Sequence, residues 1–274
     1  MPFHQTHDLV FGAMTVSKRY RSWERGEHDR EWAGLTLLAE HAPGLAPRPL
    51  RREVAADGSP VVVMSRLAGR PLGADRLTPD LVVALGAAVR ALHGVPVEAV
   101  EAAGLGERTL GPSTMRTHLR DWAAQEVDLG ACRDGAVVAD ALRAARQWLA
   151  EPAVGLDRVV DPVLGLADGN AANVLWDGSA CRVVDLEDCG LSDPAFEVAG
   201  VVEHASFRLP RLVEPERVAA AAGLDDAQWR RWTAYRPLFA ALWLVMLVPG
   251  NRGFVRNPVG STEDQARHLL TLLG

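Results

Sequence analysis

The stretch DGNAANVLWDGSACRVVDLED, residues 168–188, contains two short apolar segments on either side of an Asp-Gly turn. Such a turn between apolar segments is typical of a β-hairpin. If Trp176 pairs with Cys181, antiparallel register places Asn173 beside Asp185 at the open end of the hairpin. The stretch therefore predicts that two oxygen-bearing side chains meet where the strands end.

Asp168 precedes the first strand, in a loop that enters the same end of the hairpin. Two carboxylates and one carboxamide around one point form a site for a hard cation such as Mg²⁺, with a carboxylate base nearby. Taken singly, each residue is equally well explained as a turn cap or as a strand end. Three of them at one edge favour a functional site.

Lys18 is the only lysine in the chain, although lysine and arginine together number 29. It lies in MTVSKRYR, residues 14–21, whose alternation is typical of a strand with Met14, Val16, Lys18 and Tyr20 on one face. That face is apolar, so the Lys18 ammonium points inward and requires an anion. Either this single lysine is kept by chance, or the position requires a compact ammonium that the planar guanidinium of arginine cannot replace.

Glu31 is the predicted anion. The segment EHDREWAGLTLLAEHAPG, residues 27–44, has the spacing of a helix with Leu35 and Leu38 on an apolar stripe, and Glu31 lies on the same stripe. We therefore expect a Lys18–Glu31 ion pair between the strand and the helix. The alternative function of this pair is purely structural, at a sheet–helix contact.

The rest of the sequence predicts an α+β chain of two unequal lobes. Two strands flank the Asp57–Gly58 turn, a hinge follows near Ser65–Gly69, and helical patterns dominate from Leu77 onward, interrupted by the hairpin. We expect a β-rich lobe at residues 1–68 and a larger, mainly helical lobe at residues 69–274.

Composition narrows the function classes. The chain has 274 residues, a net charge of −6 and a pI near 5.8, which argues against a nucleic-acid surface and is compatible with cationic ligands. The longest apolar run, residues 238–248, is too short to span a bilayer, and no secretory leader pattern is present. The cysteines follow no metal or redox spacing. We expect a cytoplasmic protein that binds neither nucleic acid nor membrane.

The region from residue 168 to the Asp193-Pro194 pair resembles the catalytic signature of the aminoglycoside phosphotransferase family, a branch of the protein-kinase-like fold. The family pattern is His-Gly-Asp, four residues, Asn, a hairpin, Ile-Asp-Phe and a later Asp-Pro. Asp168, Asn173 and Asp185 occupy the corresponding places. The likeness extends through the lysine strand and the glutamate helix, and covers the chain to about Glu197. It implies a protein-kinase-like two-lobe fold that phosphorylates small molecules.

The resemblance also implies roles for individual residues. Asp168 would orient the acceptor hydroxyl and receive its proton, while Asn173 and Asp185 would hold Mg²⁺ against the nucleotide phosphates. Lys18, fixed by Glu31, would bind the α and β phosphates of ATP or GTP.

The resemblance further implies that the purine would bind to backbone groups around Ser65 to Leu67.

Two departures from the family pattern stand out. Leu166 replaces the family histidine, and Gly12 is the only glycine before Lys18, so one hairpin must cover the phosphates without a glycine-rich loop.

Three functions are compatible with these residues. The first is an ATP- or GTP-dependent O-phosphotransferase whose acceptor is a hydroxyl of a small, cationic antibiotic or related natural product. The second is a kinase for a metabolite such as an amino alcohol, a sugar or homoserine, and the third is a nucleotide-binding module without turnover. Glu187 and Asp188 are further candidate ligands near the metal, and Trp229 and Trp232 are candidates for the wall of an acceptor pocket.

Overall fold

The smaller lobe is an antiparallel sheet covered by one helix. A computed structural model describes residues 7–73, 77–152 and 155–274. The sheet has four strands in the order β1-β2-β4-β3, and a helix, α1, follows β2 in sequence. These elements are β1 (His7–Phe11), β2 (Thr15–Tyr20), α1 (Glu27–His41), β3 (Pro49–Val54) and β4 (Pro60–Ser65).

The larger lobe is mainly helical and contains short strands, two of which form the hairpin within residues 168–188. Its helices are α2 (Pro79–His93), α3 (Val97–Ala102), α4 (Pro112–Ala123), α5 (Gly135–Ala150), α6 (Pro194–Glu203), α7 (Ala205–Arg208), α8 (Pro215–Ala222), α9 (Asp226–Leu247), α10 (Arg252–Arg256) and α11 (Ser261–Leu273). Its strands are β5 (Arg70–Pro71), β6 (Val163–Gly165), β7 (Val174–Trp176), β8 (Cys181–Val183) and β9 (Gly190–Ser192). The predicted α+β architecture is confirmed.

The predicted hairpin register is also confirmed. Strands β7 and β8 pair antiparallel with Trp176 opposite Cys181, and the N–H of Val184 donates to the carbonyl of Asn173 over 2.9 Å. The preceding segment β5 pairs with β7 in the same sheet. The predicted boundary at residues 68/69 thus falls between β4, in the smaller lobe's sheet, and β5, in the hairpin's sheet.

Helix α1 joins the two halves of the molecule. Its apolar stripe is buried, with Leu35 at 0% and Leu38 at 1% exposure. Gly34 lies so close to the segment after β8 that a Cβ there would stand 2.7 Å from the Sγ of Cys189 and 2.9 Å from a methyl of Leu186. This close approach brings the helix that carries Glu31 against the chain that follows Asp185.

The alternation of strand β2 predicts the inward face correctly only where α1 covers it. Lys18 and Tyr20 are buried and Val16 is half-buried, but Met14 is 77% exposed. Met14 lies before the strand, in the turn of the β1–β2 hairpin. In the described ranges, no helix combines the length and the apolarity needed to cross a membrane.

We expect Gly34→Ala to lower the free energy of unfolding by about 1–3 kcal/mol, because an added methyl in a packed contact forces its neighbours apart. Urea unfolding measures this change. Thr36→Ala, at an exposed position of the same helix, is the matched control and should change stability by less than about 0.5 kcal/mol. Equal stability of Gly34→Ala and parent would show that α1 does not pack closely on this segment.

Candidate active site

Lys18 lies at the centre of a cluster of carboxylates. The residue is 2% exposed, and its Nζ lies 2.6 Å from Oε2 of Glu31 and 3.0 Å from Oε2 of Glu187, and donates to Oδ1 of Asp185. The predicted Lys18–Glu31 ion pair is therefore confirmed. Burial by itself would lower the pKa of Lys18, but the negative charges of Glu31 and Asp185 outweigh it and hold the pKa well above its ordinary value.

The hairpin brings Asp185 to this cluster through an unusual backbone conformation. Its φ angle is 68°, in the left-handed region, immediately after strand β8 has ended. Burial, helped by the charges of Glu31 and Glu187, raises the pKa of Asp185 against the opposing effect of Lys18. A buried carboxyl whose pKa is raised gains most from a second cation.

The donor set at the end of the hairpin fits Mg²⁺. Among the described residues, ligand atoms of His7, Asp185 and Glu187 lie within 4.8 Å of one another. The two carboxylates are oxygen donors of the kind Mg²⁺ prefers, whereas the imidazole of His7 is not. Asn173 lies across the ladder from Val184, the residue before Asp185. Because the amide nitrogen of Asn173 donates to Asp168, its amide oxygen is the atom left for a cation.

Asp168 is a partly accessible carboxylate bound by Asn173, with 45% of its side chain exposed. Its Oδ2 accepts a 3.0 Å hydrogen bond from Nδ2 of Asn173, its Oδ1 accepts one of 3.1 Å from the N–H of Asn170, and Nε2 of His204 lies 3.4 Å from Oδ1. Burial tends to raise the pKa of Asp168, but these donors, His204 foremost, outweigh it and lower the pKa. The carboxylate is therefore ionised and oriented, as a proton acceptor must be.

Glu197 fixes the loop that carries Asp168. Its buried carboxylate accepts hydrogen bonds from the N–H groups of Leu166 (3.0 Å) and Ala167 (3.3 Å), and its other oxygen accepts from Arg108 (2.7 Å) and Ser192 (2.6 Å). Ala167 has a φ of 75°, so the backbone turns sharply before Asp168. Leu166, where the family has histidine, is 8% exposed and belongs to the core. The loop conformation thus depends on Glu197 and not on residue 166.

Ser65 and Leu67 lie where β4 leaves the smaller lobe. The N–H of Ser65 already donates to the carbonyl of Arg48 over 2.9 Å, and that of Arg66 donates to the carbonyl of Met14 over 2.9 Å. Within the described part of the chain, the N–H of Leu67 donates to no backbone carbonyl. Of these three amides, Leu67 is the one left to donate to a ligand.

Sequence reasoning missed three residues of the site and misplaced another. Glu197 and His204 act from α6 and its C-terminal end, far along the chain from the catalytic stretch, and His7 acts from β1. The one available signal was the helical spacing of Glu197 and His204, two turns apart on one face. Of the two candidates for an acceptor-pocket wall, Trp232 is 2% exposed and packs in the core, which corrects that candidate, whereas Trp229, in contact with it, is half-buried and stays a prediction.

The comparisons with known proteins agree with this geometry. Residues 13–238 match the model of the phosphotransferase enzyme family. The search of curated proteins gave no match. Because the family match spans most of the chain, the protein belongs to the phosphotransferase enzyme family and is a small-molecule phosphotransferase.

Solved structures show the same fold. The GDP complex of aminoglycoside 2'-phosphotransferase-IIIa has 18% identity and a TM-score of 0.66 and matches 100% of this chain and 89% of that one. Spectinomycin phosphotransferase with ADP and spectinomycin has 11% identity, a TM-score of 0.61, and coverage of 100% and 90%. A choline/ethanolamine kinase family protein from Mesorhizobium loti has 16% identity, a TM-score of 0.59, and coverage of 99% and 86%. The predicted protein-kinase-like fold is confirmed.

Glu197 gives a prediction about stability and pH. Burial would raise its pKa, but Arg108 and Ser192 hold the pKa below its ordinary value of 4.5. The stability that the ionised carboxylate contributes is therefore complete above pH 4.5 and is lost as the pH falls through the lowered pKa. We expect Glu197→Gln to lower the free energy of unfolding at pH 7 by about 1–3 kcal/mol, and this deficit to shrink below pH 4.5.

Urea unfolding of parent and variant across this pH range measures the effect. Glu98→Gln, exposed on α3, is the control and should stay within about 0.5 kcal/mol of the parent at pH 7. A deficit for Glu197→Gln that does not change with pH would contradict the assignment of an ionised, tightly bound Glu197.

Proposed function

We propose that the chain is a nucleotide-dependent O-phosphotransferase that transfers the γ-phosphoryl group of ATP or GTP to a hydroxyl of a small molecule. The observation that carries the proposal is a pair of charged groups at the same end of the hairpin. A buried ammonium is held among Glu31, Asp185 and Glu187, and an oriented carboxylate, Asp168, remains partly accessible and is bound by Asn173, which lies beside Asp185 at the hairpin end. Phosphoryl transfer requires chiefly positioning and neutralisation of charge, which this arrangement supplies.

Each side chain has one task in the reaction. Asp168 accepts the proton of the acceptor hydroxyl. The hydroxyl oxygen forms a bond to the γ-phosphorus while the bond between the γ-phosphorus and the β–γ bridging oxygen breaks. Lys18, aimed by Glu31, neutralises the α and β phosphates, and Leu67 with the carbonyl of Ser65 binds the purine edge. Asn173, Asp185 and Glu187 would hold Mg²⁺, which when bound shields the phosphate charges.

An aminoglycoside or related antibiotic is the acceptor class that we favour. Several solved structures with this fold are enzymes for such compounds, and two with a TM-score of 0.66 are of an aminoglycoside phosphotransferase. The net charge of −6 is compatible with a cationic acceptor. A metabolite kinase is the second candidate, because the same fold occurs in a choline/ethanolamine kinase family protein with a TM-score of 0.59.

A nucleotide-binding module without turnover has less support. That hypothesis rested on Leu166 and on the short hairpin over the phosphates. Glu197 holds the loop backbone where residue 166 contributes no polar group, and β1 and β2 form a regular hairpin from His7 to Tyr20.

We also propose that the protein is located in the cytoplasm, where nucleoside triphosphates are available and where the free Cys132, Cys181 and Cys189 remain reduced.

The test is release of nucleoside diphosphate over a panel of acceptors, with ATP and GTP tried separately in the presence of Mg²⁺. The panel contains kanamycin, spectinomycin, a macrolide, choline, ethanolamine and homoserine. We expect turnover with at least one antibiotic. Asp168→Ala should lower kcat by about 10²- to 10⁴-fold, because it removes the proton acceptor, and should leave nucleotide binding nearly intact.

Thr36→Ala is the control variant for expression and purification, because this residue is exposed and is not part of the Lys18 cluster. Turnover confined to choline, ethanolamine or homoserine would select the metabolite kinase. No turnover with any acceptor, or turnover that survives Asp168→Ala unchanged, would reject the proposed mechanism.

A further inference from the structure

The link between α6 and α7 is a single residue, His204, whose imidazole is buried beside the catalytic loop. His204 is 8% exposed, and its ring packs edge-on against Trp243 of α9 with centroids 4.2 Å apart. Nε2 of His204 lies 3.4 Å from Oδ1 of Asp168. The nitrogen that carries the proton of the ring determines whether His204 can donate a hydrogen bond to Asp168, the proposed proton acceptor.

The surroundings of the ring determine its tautomer. The backbone N–H of Ser206 donates to Nδ1 of His204 over 3.0 Å. A backbone N–H can only donate, so Nδ1 is an acceptor and carries no proton. The neutral ring therefore carries its proton on Nε2, the nitrogen that faces Asp168.

Ser206 reinforces this tautomer and connects the ring to the loop. Its Oγ lies 2.7 Å from Nδ1 and accepts a 2.8 Å hydrogen bond from the N–H of Ala171. The hydroxyl proton of Ser206 is thus free to point at Nδ1. A continuous chain runs from Ala171 through Ser206 and His204 to Asp168, so both ends of the contact lie on the catalytic loop.

His204 follows α6 directly and lies against the loop that carries Asp168. Glu197 and His204 lie about two helical turns apart and both face the loop. Between them, a Cβ on Gly169 would stand 2.7 Å from the carbonyl oxygen of Gly200, so loop and helix are in contact along this face. Glu197 holds the loop backbone before Asp168, and His204 reaches the Asp168 side chain itself.

We infer that His204 is a positioning residue for catalysis: in its Nε2–H tautomer it fixes the orientation of the Asp168 carboxylate toward the acceptor hydroxyl. This inference rests on the proposed function. Asn173 holds Oδ2 and His204, with the N–H of Asn170, holds Oδ1. With donors on both oxygens the carboxylate cannot rotate freely. Oδ1 faces two donors, His204 and Asn170, whereas Oδ2, among the described residues, faces only Asn173 and keeps a lone pair for the hydroxyl.

Two substitutions separate this role from capping of α7. The amide oxygen of asparagine lies as far along the side chain as Nδ1, so His204→Asn keeps an acceptor for Ser206 but cannot reach Asp168. The amide nitrogen of glutamine lies as far along as Nε2, so His204→Gln keeps the donor and loses the cap. If His204 positions Asp168, the asparagine variant loses activity and the glutamine variant retains more of it. A capping role gives the reverse order.

The readout is Mg²⁺-dependent hydrolysis of ATP or GTP, with water as the acceptor. We expect His204→Asn to lower kcat by about 10- to 100-fold with little change in the KM for nucleotide, as expected when a catalytic group loses its orientation. The same substitution in an Asp168→Asn background should cost less than about 3-fold, because the two residues act as a unit. Thermal unfolding of each variant accompanies the kinetics.

An equal loss from His204→Asn in both backgrounds, or a greater loss from His204→Gln, would overturn the inference. ¹⁵N chemical shifts of the His204 ring test the geometry without turnover: a protonated Nε2 and an unprotonated Nδ1 are expected, and the opposite tautomer contradicts the inference. A parent with the expected tautomer but without any phosphoryl transfer would reject the proposed function alone, whereas a parent with transfer and an inert His204→Asn change would reject this inference alone.

Discussion

The buried ammonium of Lys18 is the constraint on which the two-lobed arrangement depends. An ammonium removed from water is costly unless anions surround it, and no single element of the smaller lobe supplies enough of them. The chain meets this requirement with Glu31 from α1 and with Asp185 and Glu187 from the segment after β8. Strand β2, helix α1 and the catalytic hairpin therefore share one electrostatic centre, and Gly34 lets the helix approach closely enough to form it. The same centre is suited to nucleotide phosphates and Mg²⁺, because the ammonium attracts phosphate oxygens and the carboxylates are ligands for Mg²⁺.

The loop that carries Asp168 is organised by α6. Glu197 fixes the backbone of the loop before Asp168, and the ring of His204 lies against the Asp168 carboxylate itself. Glu197 depends in turn on the buried Arg108, which comes from a different part of the larger lobe. Asp168 and the Lys18 cluster are thus held by separate networks, one anchored on α6 and one on Lys18. Asn173 connects them, since its side chain donates to Asp168 and its backbone carbonyl pairs with the hairpin strand that leads to Asp185.

Sequence predicts the parts of this protein that follow from local spacing. The hairpin register, the inward Lys18 and the stripe that carries Glu31 each follow from a period of two or of 3.6 residues, and all three are present in the structure. What spacing does not reveal is which distant segments complete a site. Glu197 and His204 approach the loop only because α6 packs along it, and the pattern within α6 alone predicts only a buried, mostly apolar helix. Met14 shows the same limit. Alternation places it on the inward face of β2, but the pattern does not reveal whether another element covers that position, and Met14 is exposed.

The most direct test of the central claim uses the fact that Lys18 is the only lysine in the chain. An acyl-phosphate derivative of ATP or GTP transfers its acyl group to an amine held beside the phosphates, and mass spectrometry of the digested protein locates the label. If Lys18 faces the nucleotide phosphates, it is acylated rapidly, excess ATP or GTP with Mg²⁺ blocks the reaction, and Glu31→Gln slows it because the ammonium loses the carboxylate that aims it. Labelling of Lys18 that is the same with and without excess nucleotide would contradict the account, because the lysine would then have only a structural role.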